Sequence, residues 1–173
     1  SAAELTPAGS DRALTVESFE LSPDESRVLI FTNTQRVWRR NTRGDYWVFD
    51  LGTRALSKLG GDAAPSTLMF AKFSPDGSKV GFVRDHNIYV QQLGNLSTTA
   101  VTSDGSPTLI NGTSDWVNEE ELGLRDCFRF SPDGQSILFW QFDTNGVREF
   151  HLLDNTAGTY PRLRSFPYPK VGQ

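Results

Sequence analysis

The segment "FAKFSPDGSKVGFVRD" (70–85) decides the fold of this chain, because two other segments repeat its pattern. In each copy an aromatic or apolar run leads into Ser-Pro-Asp, and a run with alternating apolar residues follows. The other copies are "FELSPDESRVLIFT" (19–32) and "FRFSPDGQSILFWQFD" (128–143). Their Ser-Pro-Asp units begin at Ser22, Ser74 and Ser131, so the spacings are 52 and 57 residues. A recurrence of this length indicates a repeat architecture.

The Ser-Pro-Asp unit has the residues of a tight turn. Proline fixes φ at the first corner, aspartate accepts hydrogen bonds from the nearby backbone, and the glycine that follows in two copies adopts positive φ without steric cost. Each unit therefore predicts a hairpin between the strands on either side of it. In the first copy Glu25 replaces the glycine, and we expect that turn to differ slightly.

A third strand is predicted after each hairpin, and a fourth after two of them. The third strands are "DYWVFDL" (45–51), "NIYVQQL" (87–93) and "REFHLLD" (148–154), and the fourth strands are "ALSKLGG" (55–61) and "TTAVTSDG" (98–105). Four short antiparallel strands in about 50 residues are typical of a β-propeller blade. A β-sandwich is the structural alternative, but a turn that recurs at a nearly constant period argues against it.

The predicted fold class is all-β, with about three four-stranded antiparallel propeller blades and one short helical segment near 115–122. The blade-like repeats are predicted near 19–60, 68–105 and 126–165. Closed propellers have about four to eight blades, so three blades form only part of a ring. We therefore expect either a partial propeller domain of a longer protein or an arc that closes by assembly.

The composition excludes several classes of function. The formal net charge is −4 and no basic stripe occurs, so we expect no nucleic-acid partner. The single cysteine, Cys127, excludes an internal disulfide, and two histidines, His86 and His151, argue against a histidine-rich metal site. We expect no metal and no cofactor. No Gly-x-Ser-x-Gly motif occurs, so we expect no catalytic serine triad in this chain.

The segment "DWVNEEEL" (115–122) places Glu119, Glu120 and Glu121 in a row. Two carboxylates about 4 Å apart repel by roughly 4 kcal/mol at an effective dielectric constant of about 20. One explanation is a short helix that begins at Asp115, where the helix dipole stabilises acidic residues in the first turn. The other is a site in which adjacent carboxylates bind a primary amine through charge-assisted hydrogen bonds. The pattern alone leaves both open.

The segment "RVWRRNTR" (36–43) contains four arginines around Trp38. It is typical of a solvated cationic strand and loop. A functional interpretation is that one arginine contacts a substrate carbonyl or carboxylate, which suits the planar guanidinium group.

These segments resemble the dipeptidyl peptidase IV family, the S9B branch of the prolyl oligopeptidase clan, and point to its bacterial members. "DWVNEEEL" resembles the family's "DWVYEEE", although Asn118 stands where many members have tyrosine. Four further segments resemble the family in the same order: "VWRRNTRGDYWVFDL" (37–51), "DHNIYVQ" (85–91), "FRFSPDGQSILFWQFDTNGV" (128–147) and "FPYPKVG" (166–172). The resemblance covers the chain from about residue 19 onward.

The resemblance implies the roles of particular residues. In this family a propeller of about eight blades caps an α/β-hydrolase domain, paired glutamates bind the substrate's N-terminal ammonium, and an arginine after a tryptophan contacts a backbone carbonyl. The implied amine-binding residues are Glu120 and Glu121, and the implied carbonyl contact is Arg39. Glu119 and Trp38 would support them. The hydrolase domain, which carries the nucleophile, is absent from this chain.

The resemblance thus implies the substrate-binding N-terminal propeller part of a serine exopeptidase that releases X-Pro or X-Ala dipeptides. The implied partners are peptides with a free N-terminus, the hydrolase domain of the parent chain and a second copy in a homodimer. The implied location is periplasmic, secreted or membrane-anchored and facing outward. Two alternatives remain: a non-catalytic protein-binding propeller, in which the glutamates would be buried in ion pairs with local arginines, and a tripeptidyl peptidase-like relative.

Overall fold

The computed structural model of the chain describes residues 1–172. Antiparallel strands make up most of its regular structure, alongside a short 3-10 helix at Ala2–Leu5 and one α-helix. Neither helix in this part of the chain is long and apolar enough to cross a membrane. The predicted all-β class with one short helical segment is confirmed.

The first two repeats together form one antiparallel sheet of eight strands. The first repeat supplies β1 (Val16–Leu21), β2 (Arg27–Val37), β3 (Arg40–Asp50) and β4 (Leu56–Lys58). The second supplies β5 (Leu68–Phe73), β6 (Lys79–Arg84), β7 (Asn87–Gln92) and β8 (Thr98–Ala100). The two repeats join where β3 pairs with β5 through Gly44 and Leu68. At this junction a Cβ on residue 44 would lie 2.5 Å from Phe31 Cε2, so glycine is required.

The β2–β3 hairpin is longer than the sequence predicted. Its ladder continues past the sheet through the pairs Gln35–Arg43, Arg36–Asn41 and Val37–Arg40. The predicted third strand at 45–51 therefore begins earlier, at Arg40. Trp38 and Arg39 form the tip of this hairpin, so the arginine-rich segment projects from the sheet.

The third repeat departs from the predicted four-stranded pattern. Its strands lie in three two-stranded sheets, in which β10 pairs with β11, β9 with β12, and β13 with β14. The elements are β9 (Leu109–Asn111), α1 (Trp116–Leu122), β10 (Phe128–Phe130), β11 (Ile137–Phe139), β12 (Gln141–Asp143), β13 (Glu149–Asp154) and β14 (Arg162–Pro167).

An insertion that carries α1 explains this departure. Trp140 links β11 to β12, and its N–H donates to the Cys127 carbonyl (2.9 Å) while its carbonyl accepts from the Gly112 N–H (3.0 Å). Segment 137–143 therefore runs opposite β10 and then opposite β9. Residues 112–127 leave the ladder between these two half-strands, and the Cys127 N–H donates to the Gly112 carbonyl (3.0 Å) to close the base. We call this segment the helix insertion (112–127).

The three Ser-Pro-Asp turns have the same structure. In each, the serine hydroxyl donates to the aspartate two residues on, at 2.5–2.6 Å. The residue after the aspartate adopts positive φ in all three copies: 56° at Glu25, 69° at Gly77 and 67° at Gly134. The expectation of a different first turn was wrong, because the same hydrogen bonds fix Glu25 in a left-handed conformation.

Cationic side chains connect each turn to the next. Arg27, five residues after Ser22, donates from Nη1 to the Gly77 carbonyl (3.3 Å). Lys79, five residues after Ser74, donates from Nζ to the Gly134 carbonyl (3.1 Å). The turns are therefore tied in sequence along one side of the molecule.

The hydrophobic core lies mainly between the first two repeats. Its buried residues are Leu29, Phe31, Tyr46, Val48, Leu59, Leu68, Ala71, Phe73, Val80 and Phe82. A second cluster joins the second repeat to the third through Val83, Ile88 and Phe128. Packing between consecutive repeats therefore holds the base of the helix insertion in place.

Candidate functional site

Helix α1 begins and ends at residues suited to those positions. The Asp115 side chain accepts from the Asn118 N–H (2.9 Å), which caps the first turn. The Asn118 amide Nδ2 donates to the same carboxylate oxygen (2.7 Å), so asparagine reinforces this cap. The helix ends at Gly123, whose φ of 68° allows its N–H to bond back to the Asn118 carbonyl.

The three glutamates of α1 differ in burial and in ion-pair partner, because successive residues on a helix are rotated by about 100°. Glu119 is buried, and its Oε1 lies 3.2 Å from Arg125 Nε. Glu120 Oε2 lies 2.5 Å from Arg39 Nε. Glu121 is exposed and forms no ion pair within residues 1–172. The crowding that the sequence suggested is thus relieved by two arginines and by solvent.

The tip of the β2–β3 hairpin lies on α1. Trp38 adopts φ of 50°, and its ring packs edge-on against Trp116 (6.4 Å between centroids) and Phe166 (5.4 Å). Arg36 Nε donates to the Trp38 carbonyl (2.9 Å) and braces the turn. These contacts place Arg39 over Glu120, although about 80 residues separate them in the sequence.

Aromatic residues from the end of the chain complete this support. Trp116 packs on Phe166 (4.7 Å) and Tyr168 (5.3 Å), and Tyr168 also contacts Phe150 (5.5 Å). The hairpin tip, α1 and the β13–β14 hairpin therefore share one aromatic cluster.

A cavity of about 410 Å³ lies beneath this cluster. It is bounded by the β2–β3 hairpin, the β6–β7 turn and the helix insertion, and its ionisable lining residues are Arg43, Asp85, His86, Asp115, Glu119 and Arg125. Burial raises the pKa of Glu119, and the adjacent Arg125 partly opposes this shift. Burial lowers the pKa of His86, and Arg43 acts in the same direction while Asp85 opposes it. Neither Glu120 nor Glu121 lines this cavity.

The structure brings some of the predicted site residues together and separates others. Glu120, Arg39 and Trp38 are neighbours, whereas Glu119 is held by Arg125 and Glu121 faces solvent. Sequence reasoning missed Arg125, since it belongs to no recognised motif. No cluster of three or more His, Cys, Asp or Glu residues that could hold a metal occurs in the described part of the chain.

The chain is similar to known proteins in both sequence and structure. The model of the family described as "Dipeptidyl peptidase IV (DPP IV) N-terminal region" matches residues 22–173. Dipeptidyl aminopeptidase B of Saccharomyces cerevisiae is 38% identical over 92% of this chain and 19% of its own length. A probable dipeptidyl peptidase 4 of Aspergillus fumigatus is 39% identical over 90% of this chain and 21% of its own length.

Solved structures agree with this assignment. The crystal structure of Porphyromonas gingivalis dipeptidyl peptidase 4 superposes with a TM-score of 0.84 at 28% identity, over 96% of this chain and 23% of that one. A putative dipeptidyl aminopeptidase IV from Bacteroides ovatus, at 20% identity and a TM-score of 0.52 over 83% of this chain and 17% of that one, shares the fold. These relatives are fungal and bacterial, so the expected bacterial origin stays a prediction.

The chain spans about a fifth of the length of the curated relatives it matches. The similarity is nevertheless spread over nearly all of its own residues, including the repeats, the projecting hairpin and the helix insertion. The chain therefore belongs to the family formed by the N-terminal regions of dipeptidyl peptidase IV.

Proposed function

We propose that this chain is the substrate-binding part of a serine dipeptidyl peptidase that releases X-Pro or X-Ala dipeptides. Glu120 and Glu121 would bind the N-terminal ammonium of a peptide, and Arg39 would contact one of its backbone carbonyls. The observation that carries this proposal is the position of the hairpin tip, which brings Arg39 to Glu120 beside an unpaired, exposed Glu121. Glu119 and Trp38 would hold these groups in place.

The charges of this site suit a protonated amine. An ammonium group has three donors, and a carboxylate accepts from several directions. Hydrogen bonds between two charged groups are the strong ones. Glu121 has no competing partner among residues 1–172, so it would meet an incoming ammonium first.

Binding of the chain end would also select the length of the product. A fixed ammonium places the scissile bond at a set distance, which is catalysis by positioning. A peptide shifted by one residue would put a neutral amide beside the glutamates and leave a carboxylate without its partner, which costs affinity. Dipeptide release is favoured over a tripeptidyl peptidase-like activity because both Glu120 and Glu121 are present.

A non-catalytic protein-binding propeller is the second candidate. In a protein-binding propeller we expect the glutamates to be buried in ion pairs with local arginines, and the Glu119–Arg125 pair has that form. The Arg39–Glu120 pair resembles it only in part, since the Arg39 side chain is 76% exposed. Glu121 does not fit it, because this carboxylate is exposed and unpaired within the described residues.

The remaining parts of the proposal concern partners and location. The parent protein would supply an α/β-hydrolase domain with the nucleophile, and would act outside the cytoplasm. A homodimer would have an apolar surface available on the β13–β14 hairpin, where the cross-strand partners Leu153 and Leu163 are 68% and 63% exposed. Resemblance to the family supports the first two points.

The test compares dipeptide release by the full-length gene product with that of Glu120→Gln and Glu121→Gln variants. A hydrogen bond to a charged group contributes about 1.5–3 kcal/mol, so we expect KM to rise roughly tenfold to hundredfold in either variant. Glu17→Gln, at an exposed glutamate on β1, is the matched control. An N-acetylated substrate should be cleaved poorly by the unaltered protein.

Unchanged KM and kcat in both glutamate variants would refute the amine-binding role. The 173-residue chain by itself should release no dipeptide. Turnover by that chain would contradict the proposal that the nucleophile belongs to another part of the parent protein.

A further inference from the structure

The sequence contains two Asn-Gly pairs, Asn111-Gly112 and Asn145-Gly146, and the structure places them in opposite surroundings. An asparagine side chain is open to attack by the backbone nitrogen of the next residue. Glycine favours this attack, because it has no Cβ to hinder the approach and its backbone rotates freely. Both pairs belong to the third repeat, one at the end of β9 and the other just after β12.

The Asn111-Gly112 pair is held by three hydrogen bonds. The Asn111 side chain is fully buried, and its Nδ2 donates to Asp104 Oδ1 (2.9 Å). Its Oδ1 accepts from Gln141 Nε2 (2.8 Å). The Gly112 N–H donates to the Trp140 carbonyl (3.0 Å). The nitrogen that would attack is therefore engaged, and the carbon that it would attack is fixed away from water.

The Asn145-Gly146 pair lacks these restraints. Both residues are exposed, and a Cβ on Gly146 would meet no atom within 4 Å. The Asn145 N–H donates to Asp143 Oδ1 (2.8 Å), but within residues 1–172 neither the Asn145 side chain nor the Gly146 N–H forms a hydrogen bond. One backbone bond closes the turn, from the Val147 N–H to the Thr144 carbonyl (3.1 Å). The φ of 80° at Gly146 is that of a type II turn.

We propose that Asn145 is a site of deamidation, at which an exposed amide becomes a carboxylate with water as the only co-reactant. The Gly146 nitrogen forms a bond to Asn145 Cγ, the Cγ–Nδ2 bond breaks, and ammonia leaves with the proton released from the Gly146 N–H. This attack is intramolecular, so no second molecule has to be positioned for it. The product is a cyclic succinimide.

Water then opens the succinimide and leaves a carboxylate and a proton. Cleavage of the new bond between nitrogen and Cγ gives aspartate. Cleavage of the original peptide bond gives isoaspartate, in which the main chain runs through Cγ. Asn111 keeps its amide, because its hydrogen bonds prevent the first step. This inference goes beyond the proposed amine-binding function and does not depend on it.

Deamidation would change the turn that leads into β13. Asp143 already lies beside the Asn145 N–H, so a second carboxylate would add repulsion between like charges. Isoaspartate would also lengthen the main chain between Thr144 and Val147, whose hydrogen bond closes the turn. We therefore expect amide hydrogen exchange at Val147 to be faster in the deamidated protein.

The test follows both Asn-Gly pairs in the full-length gene product during incubation at mildly alkaline pH, which favours loss of the glycine N–H proton. Water enriched in heavy oxygen labels the carboxylates that form during the incubation. Proteolysis in ordinary water, chromatography and mass spectrometry then quantify the asparagine, aspartate and isoaspartate forms of each peptide. Three hydrogen bonds must open before Asn111 reacts, so we expect Asn145 to convert roughly a hundredfold faster.

Two comparisons show whether the structure causes this difference. In denaturant the two pairs should convert at similar rates, because neither keeps its folded surroundings. Gln141→Ala removes one hydrogen bond from Asn111 and should speed conversion of Asn111 roughly fivefold in the folded protein. Gln135→Ala, at an exposed glutamine of the third Ser-Pro-Asp turn, is the matched control and should leave that rate unchanged.

The outcomes separate clearly. Equal conversion of the two pairs in the folded protein would overturn the inference. So would an Asn145 that stays unmodified while the denatured protein converts it. An unchanged rate for Asn111 in Gln141→Ala would contradict the explanation of its protection. None of these results bears on the amine-binding role, which the glutamate variants test separately.

Discussion

Replacing Trp38 with alanine should release the hairpin tip from α1 without disturbing the sheet beneath it. Trp38 is the residue that packs the tip on Trp116 and Phe166. Arg39 follows it directly, so its position over Glu120 depends on this packing. The Trp38→Ala variant therefore separates the support of the site from its charged groups.

The size of the effect follows from the exposure of Trp38. A buried tryptophan replaced by alanine costs about 3–5 kcal/mol. Trp38 is 39% exposed, so we expect the local opening of the hairpin tip to become easier by about 2 kcal/mol. Amide hydrogen exchange in segment 34–43 should then be roughly thirtyfold faster. Trp140→Ala is the matched control, since Trp140 is 59% exposed and lies between β11 and β12.

The functional effect is best measured as a double-mutant cycle on the full-length gene product. If Trp38 acts by holding Arg39, Trp38→Ala should raise KM for a dipeptide substrate and add little in an Arg39→Ala background. Trp38→Phe should recover part of the loss, because phenylalanine keeps an aromatic contact with Trp116. Additive effects of the two alanine variants, or unchanged exchange in segment 34–43, would refute this explanation.

Other perturbations test the repeat structure. Lys79→Ala removes the hydrogen bond to the Gly134 carbonyl. The free energy of local opening of the third Ser-Pro-Asp turn should fall by about 1 kcal/mol, so amide hydrogen exchange there should become faster. The exposed control Lys170→Ala should leave this exchange unchanged. Hydrogen bonds from Ser74 and Ser78 lower the pKa of Asp76 to about 2. The stabilisation that these bonds give the folded state should therefore be complete above about pH 4 and lost as the pH falls through 2. In denaturant titrations, the stability of Asp76→Asn should lack this dependence on pH. Burial lowers the pKa of Lys72 to about 8 from 10.5, so the unfolded chain holds more protons between these values and the free energy of unfolding should rise with pH there. A Lys72→Met variant that keeps this rise would contradict that assignment.

The turn-centred repeats could be predicted from the sequence because they depend on local rules. Proline, aspartate and the serines around them set the turn within six residues, and the structure repeats it three times. The helix was predictable for the same reason, since its cap Asp115 lies next to it in the chain. Even Glu25, the one irregular residue, takes the conformation of its glycine counterparts.

The third repeat could not be predicted in the same way, because its pairing is not local. β9 and β10 are three residues each and are separated by the helix insertion, yet both pair with segment 137–143. A three-residue strand has no periodicity that distinguishes it from a loop. Strand pairing across such an insertion depends on the sheet that receives it.

The candidate site likewise has features that the sequence shows and contacts that the sequence does not show. The glutamate run and the arginine-rich segment stand out in the sequence, and each has an explanation of its own as a helix start or a solvated strand. Only the structure shows that Arg39 lies on Glu120 and that Arg125 binds Glu119. Long-range contacts of this kind depend on the direction in which a hairpin projects, which single residues do not encode.

The location of the site on two outgrowths of the sheet has a physical consequence. The helix insertion leaves the ladder at Gly112 and returns at Cys127, where one backbone hydrogen bond restores the pairing. The charged residues of α1 are therefore held by backbone geometry at one end and by the aromatic cluster around Trp116 at the other. The base of the insertion packs on the cluster of Val83, Ile88 and Phe128, but the charged residues of α1 and the hairpin tip belong to neither apolar cluster. Changes to Glu120, Glu121 or Arg39 should therefore alter ligand selection while the repeats keep their packing.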